Sequence, residues 1–135
     1  MDESFAAPDI ESRLKRAQKY CVSEVKKFDP DRYLTALVAS QEQRNPLFAL
    51  FAFNLELAKI CESVSEPMLG RIRLQWWRES ISGVYKGTPR EHGVITALVP
   101  VIKRYAISQK LFEEMIDARE FDLERRNPKN LSELL

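Results

Sequence analysis

The sequence predicts an all-α fold, and three observations predict it. Apolar residues recur every three or four positions through most of the 135 residues. No stretch alternates apolar and polar with the period of a strand. Prolines and polar clusters cut the helical pattern into pieces of ordinary helix length. With 44% hydrophobic and 30% charged residues, the composition is that of one folded domain with a modest core rather than a disordered chain.

The elements follow in order. Ile10, Leu14, Ala17, Cys21, Val25 and Phe28 form an amphipathic stripe that begins after Pro8-Asp9. Pro30 opens a short second helix carrying Tyr33, Leu34, Leu37 and Val38, which the polar SQEQRN segment ends. Pro46, read as a first-turn proline, starts a third helix that is apolar nearly all round from Leu47 to Ile60. Pro67 restarts the chain into a fourth helix, Met68 to Lys86, stopped by Gly87-Thr88-Pro89. A fifth runs from Val94 to Ala106 with a bend expected at Pro100. Ser108 caps a sixth that reaches about Glu124, RRNPKN is a loop, and LSELL reads as the opening turn of a seventh. The whole chain, residues 1–135, reads as one domain that breaks off on its C-terminal side.

Charge and cysteine usage exclude several classes. Twenty-one basic residues meet twenty acidic ones, so no excess field points to nucleic acid. The longest apolar run, Leu47 to Phe53, is too short to span a bilayer, and MDESFAAPDIE has no apolar core of a secretory signal. Cys21 and Cys61 have no metal-type spacing, which leads us to expect a reducing, cytoplasmic setting.

Three groups of residues invite a chemical reading. Glu56, Lys59, Glu62 and Glu66 share one side of the third helix and its exit. Two carboxylates one turn apart, Glu62 and Glu66, suit a hard cation such as magnesium, but Lys59 neutralises Glu62 and repels a divalent ion, so an intrahelical ion pair is the plainer reading. RIRLQWWRES sets Arg71, Gln75 and Arg78 beside Ile72, Trp76 and Ser80, which reads either as a cavity wall with arginines gripping phosphate or as core with snorkelling arginines. Glu113, Asp117, Glu120 and Glu124 form an acidic stripe on the sixth helix, expected to be a solvated face. His92, the one histidine, falls in a loop with no nucleophile to partner it. No residue is a confident catalytic candidate on these patterns alone.

The words YLTAL, FALFAFN, SVSEP, IRLQWWRESI, GVYKG and MIDAREFDL, in this order and spacing, resemble the squalene/phytoene synthase family from about Tyr20 to Leu135. The resemblance implies an isoprenoid-synthase-type helical fold, of which this chain looks like the N-terminal half. It implies head-to-head condensation of prenyl diphosphates in active members, with magnesium held by two aspartate-rich motifs and apolar walls around the tails. The first motif resembles Asp-Asp-x-x-Asp and begins five residues after an Ala-Phe pair. Counted from Ala52-Phe53 it falls on Ala58, Lys59, Ile60, Cys61 and Glu62, so a methyl group and a cation replace two of its aspartates. The second motif would lie beyond Leu135.

Carried over position by position, the resemblance makes Tyr33, Arg44, Trp76, Trp77 and Arg78 substrate- or diphosphate-binding candidates. Asp31 and Arg32 stand where the family has serine and phenylalanine before that tyrosine. Asp117, Glu120 and Asp122 match as well. Glu62 and Glu66 remain as a degenerate metal pair. The pattern is similar to a branch of the family that lacks the aspartate motif and includes an assembly factor for respiratory complex I.

The expectation is therefore a non-catalytic binding or assembly protein with no cofactor and a protein partner. The alternative is a prenyltransferase of isoprenoid biosynthesis that uses Mg2+ and binds prenyl diphosphate. A peripheral membrane contact stays open. A homo-oligomer is expected to cover Leu50, Phe53, Leu57 and Trp76, the face that half of a helical cavity would leave bare.

Overall fold

The computed structural model describes residues 6–63 and 65–125 and contains six helices: α1 (Ala6–Phe28), α2 (Pro30–Leu37), α3 (Gln41–Ser63), α4 (Pro67–Tyr85), α5 (Gly93–Tyr105) and α6 (Gln109–Arg125). No strand occurs among the described residues. The all-α class holds, and the seventh helix expected at LSELL lies outside the described residues.

Helix α3 is apolar on nearly every side because it touches all five other helices. Phe53 lies at the centre, fully buried, with its ring edge-on to Trp77 of α4 at 5.5 Å and to Phe112 of α6 at 5.3 Å. Offset and perpendicular ring pairs of this kind add about 0.5–1.5 kcal/mol each beyond the area they bury. Leu57 is also fully buried, and Leu50 is half-buried. The bare face expected to need a second copy of the chain is thus largely closed from within, by α1, α5 and α6. Of its four residues Phe53 and Leu57 are fully buried, Leu50 is half-buried, and Trp76 keeps an exposed edge.

Local chemistry sets the boundaries. Asp29 caps α2, its side chain accepting from the Arg32 N–H, and Pro30 takes the first turn, where its missing N–H costs nothing. Helix α3 starts at Gln41, five residues before the expected Pro46. Residues 41–45 are exposed, so the polar SQEQRN segment is the solvated first turn of α3 rather than a break. Pro46 sits close enough to the helix start that it removes only the bond to the Glu42 carbonyl. Helix α5 continues through Pro100 and ends at Ala106, whose φ of 49° is a left-handed cap.

Candidate functional site

Of the residues aligned with the degenerate metal motif, Lys59 and Ile60 face a cleft of about 280 Å³ between α3, α4 and the start of α5, while Ala58, Cys61 and Glu62 do not line it. Glu56, Lys59, Ile60 and Ser63 come from α3, Arg73, Trp76 and Trp77 from α4, and His92 closes one end. Each is placed by the packing beneath it. Trp77 is buried against Phe53, while Trp76 stacks edge-on to both Trp77 and His92 and keeps 36% of its surface exposed. The adjacent tryptophans therefore divide the two readings open in the sequence: Trp77 is core, and Trp76 is wall.

Lys59 does not pair with Glu62 as the spacing suggested. Its Nζ reaches Glu24 Oε1 of α1 at 2.6 Å and lies 4.1 Å from the centre of the Phe28 ring. Both side chains are mostly screened from water, Lys59 30% and Glu24 19% exposed, so the pair feels a lower dielectric than a surface ion pair. Glu56, one turn before, accepts a hydrogen bond from Tyr20 Oη at 3.3 Å. Two bridges thus fasten α1 across the motif positions of α3.

Electrostatics bears the mark of this arrangement. Burial, then the carboxylates of Glu56 and Glu24, push the Tyr20 phenol up to about 12. Burial and the same two carboxylates push the Cys21 thiol up to about 12, which keeps it protonated and unreactive at neutral pH. His92 is held below its ordinary value by burial, with Glu56 opposing. It is not a loop residue without a role: its Nδ1 accepts from the Val94 N–H at 3.1 Å and caps α5.

The remaining candidates lie elsewhere. Tyr33 packs on Phe48, ring centres 5.8 Å apart, and Arg44 is exposed near the start of α3; neither lines the cleft. Arg78 points to α6, donating to Asp117 Oδ1 at 2.6 Å and to Glu120 Oε2. Burial disfavours its cation, but the hydrogen bonds and charges of the two carboxylates outweigh that and raise its pKa. An anionic ligand at Arg78 would compete with both. With Glu124 paired to Arg71 at 3.7 Å, three of the four residues of the acidic stripe expected to be solvated tie α4 to α6. Glu62 and Glu66 are exposed at the end of α3 and the start of α4. Sequence reasoning missed Glu24 and Tyr20. The signal was present but faint: both flank the buried Cys21 and Val25 stripe of α1, where a polar group must find a partner across the helix interface.

The donor set does not fit a magnesium site. A hard cation needs oxygen ligands, and the motif positions here present the methyl group of Ala58, the Lys59 ammonium already held by Glu24, and an exposed Glu62. Among the described residues no cluster of three His, Cys, Asp or Glu side chains is placed to hold a metal. The cleft keeps aromatic and charged walls, with Trp76, Trp77, Lys59 and Arg73 among them.

The squalene/phytoene synthase family model matches residues 25–135. The chain belongs to that family. Among curated relatives, assembly factor 6 of NADH dehydrogenase (ubiquinone) complex I from Bos taurus is 34% identical over 116 residues, covering 86% of this chain and 35% of the relative. The protein of the same name from Homo sapiens is 34% identical over 115 residues, covering 85% of this chain and 34% of the relative. Chloroplastic phytoene synthase 1 of Arabidopsis thaliana is 21% identical over 119 residues, covering 88% of this chain and 27% of the relative. The chain spans about a third of the length of these family relatives. No solved structure matches.

Proposed function

We propose that this protein is a non-catalytic family member that acts by binding a protein partner during assembly of a larger complex. One observation carries the reading: Lys59, bonded to Glu24 at 2.6 Å, occupies the motif position where metal-dependent relatives need a carboxylate. Metal-assisted departure of diphosphate requires oxygen ligands at that point, and an ammonium both fails to coordinate and repels the ion. The bovine and human relatives named as complex I assembly factors support a protein partner, and the enzyme relative is the more distant one at 21% identity. The reading needs no cofactor. A reducing compartment goes with it, with the thiols of Cys21 and Cys61 both buried. No helix among the described residues is long and apolar enough to cross a membrane.

The test is direct. The purified chain is incubated with farnesyl or geranylgeranyl diphosphate and magnesium, with pyrophosphate release and melting temperature followed together. We expect no release and no magnesium-dependent rise in melting temperature, whereas a ligand at a hundred times its dissociation constant would stabilise by about 2.7 kcal/mol. Magnesium-dependent turnover would replace the assembly reading with the prenyltransferase one.

A further inference from the structure

A second, larger groove lies outside the family's cleft. It runs between α1 and α5, encloses about 710 Å³, and has an apolar floor that includes Ile10, Leu14, Ala17 and Val99. Its banks are basic: Arg13, Arg16, Arg90 and Lys103 line it against a single carboxylate, Glu91. Two of the four cations are already engaged. Arg13 is held by Asp9 at 3.0 Å and Glu91 at 3.1 Å, and Arg90 is held by Glu79 at 3.2 Å. Arg16 and Lys103, one on each bank, form no ion pair among the described residues, and both are exposed. A trough with an apolar floor and an unneutralised cation on either side complements an occupant that is apolar below and acidic along its flanks.

From this charge pattern and shape we propose that the α1/α5 groove is a docking site for an acidic amphipathic helix of a protein partner. The lining spans eleven residues on each helix, Ile10 to Tyr20 and Gly93 to Lys103, and their ten steps of about 1.5 Å make about 15 Å, the length of nearly three helical turns. A concave trough of that length suits the helix-in-groove mode, whose anchors repeat at three- and four-residue spacing. It does not suit a flat anionic bilayer. Pro100 adds a second feature that favours peptide: lacking an N–H, it deprives the Thr96 carbonyl of its α-helical donor, and both residues line the groove. A peptide side chain can donate there, and an acyl chain cannot. Gly93 completes the fit. A Cβ at that position would meet the Tyr20 ring at 2.9 Å, so glycine lets α5 begin tight against α1 and keeps that end of the groove closed.

The proposal rests on the protein-partner reading, but the two fail separately. The experiment selects from a displayed library of sixteen-residue helical peptides, with one face varied among Leu, Ile, Phe and Met and the flanks varied among Glu, Gln and Lys. The target is the full chain. Enriched peptides are expected to carry glutamate on both flanks, to weaken as salt is raised, and to lose about tenfold in affinity against Arg16→Glu/Lys103→Glu. Both positions are exposed, so the double variant should keep its circular dichroism and melting temperature, and Arg16→Lys should retain binding. Failure to enrich any peptide, enrichment of neutral or basic flanks, or unchanged affinity for the double variant would overturn the groove assignment. So would sedimentation with phosphatidylcholine/phosphatidylglycerol vesicles that the same double substitution abolishes. None of these outcomes restores catalysis, and turnover of a prenyl diphosphate would sink the assembly reading without touching the peptide result.

Discussion

Replacing Lys59 by methionine tests whether the former metal position has become a strut between α1 and α3. Methionine keeps most of the stem that lies over Phe28 and removes the charge, leaving the Glu24 carboxylate facing a partly dry interface without its cation. Breaking a fully buried pair costs about 3–5 kcal/mol, and an exposed pair contributes about 0–1 kcal/mol. With side chains 30% and 19% exposed, Lys59 and Glu24 lie between these limits, and a loss of about 2 kcal/mol is expected from Lys59→Met. For a urea slope of about 2 kcal/mol/M that moves the midpoint by about 1 M. Glu24→Gln should cost less, because a neutral amide still accepts from the ammonium. A double-mutant cycle should return a coupling of about 1–2 kcal/mol.

A magnesium arm separates a strut from an idle surface pair. Replacing Ala58 and Lys59 together by aspartate takes the cation away from Glu24 and adds carboxylates to the same stretch of α3 as Glu56, so the variant should be less stable than wild type in chelator. Millimolar magnesium should restore part of that loss by binding the folded state, and should leave the wild type unmoved. A coupling below about 0.5 kcal/mol would mean that Lys59 and Glu24 are merely adjacent. Equal stabilisation of wild type and variant by magnesium would refute the claim that the ammonium has displaced the ion.

Two further predictions concern the ends of the helices. Gly83→Ala should destabilise by about 1–2 kcal/mol although alanine is the better helix former by about 1 kcal/mol, because its Cβ would stand 2.9 Å from the Thr88 carbonyl oxygen, a backbone atom tied to Gly83 by the turn after α4. Gly70→Ala should also destabilise in the same urea titration, since its Cβ would overlap the side chain of Leu123, which is buried; an unchanged midpoint would contradict this. His92 sets a pH dependence. Burial lowers its folded pKa, so the unfolded chain binds the proton more readily and stability must fall as pH drops below about 6.5 toward the folded value. His92→Asn keeps a side-chain acceptor for the Val94 N–H but cannot titrate in that range, and melting curves between pH 5 and 8 should be flatter for it than for wild type. A parallel slope would assign the pH dependence to other groups.

Helix positions were legible because the signals that place them are local. Pro30, Pro67 and Ser108 mark starts within a residue or two of the observed ones, and the apolar stripe of α1 names its buried residues Ala17, Cys21 and Val25. Pro46 misled for an equally local reason: a proline is compatible with a helix start, yet nothing in the neighbouring residues forbids an exposed turn before it. His92 was read as a loop residue because capping by imidazole depends on a backbone N–H that only the folded turn presents. The Lys59–Glu24 pair was out of reach for a different reason. Residues 35 apart on two helices meet through the crossing of α1 and α3, while the sequence offered a nearer carboxylate, Glu62, at helical spacing. Local spacing makes a pair available, and tertiary packing decides whether it is used.

The same distinction explains how the family's words persist in this chain while Ala58 and Lys59 stand at its metal-motif positions. Trp77 of the IRLQWWRESI segment is core, packed on Phe53 of FALFAFN, and Arg78 joins α4 to Asp117 and Glu120 of MIDAREFDL. These contacts hold helices in place whether or not a metal is bound, because their partners are all protein. Carboxylates clustered on α3 obey a different condition: they are tolerable when a cation sits among them and repel one another when it does not. A side-chain ammonium meets that condition permanently, bonded to a carboxylate of α1 at 2.6 Å. The scaffold then no longer depends on an ion to relieve charge at this position. Similarity measured along the chain therefore weighs mostly the residues that pack, whereas the chemistry turns on the atoms at Ala58, Lys59 and Glu24.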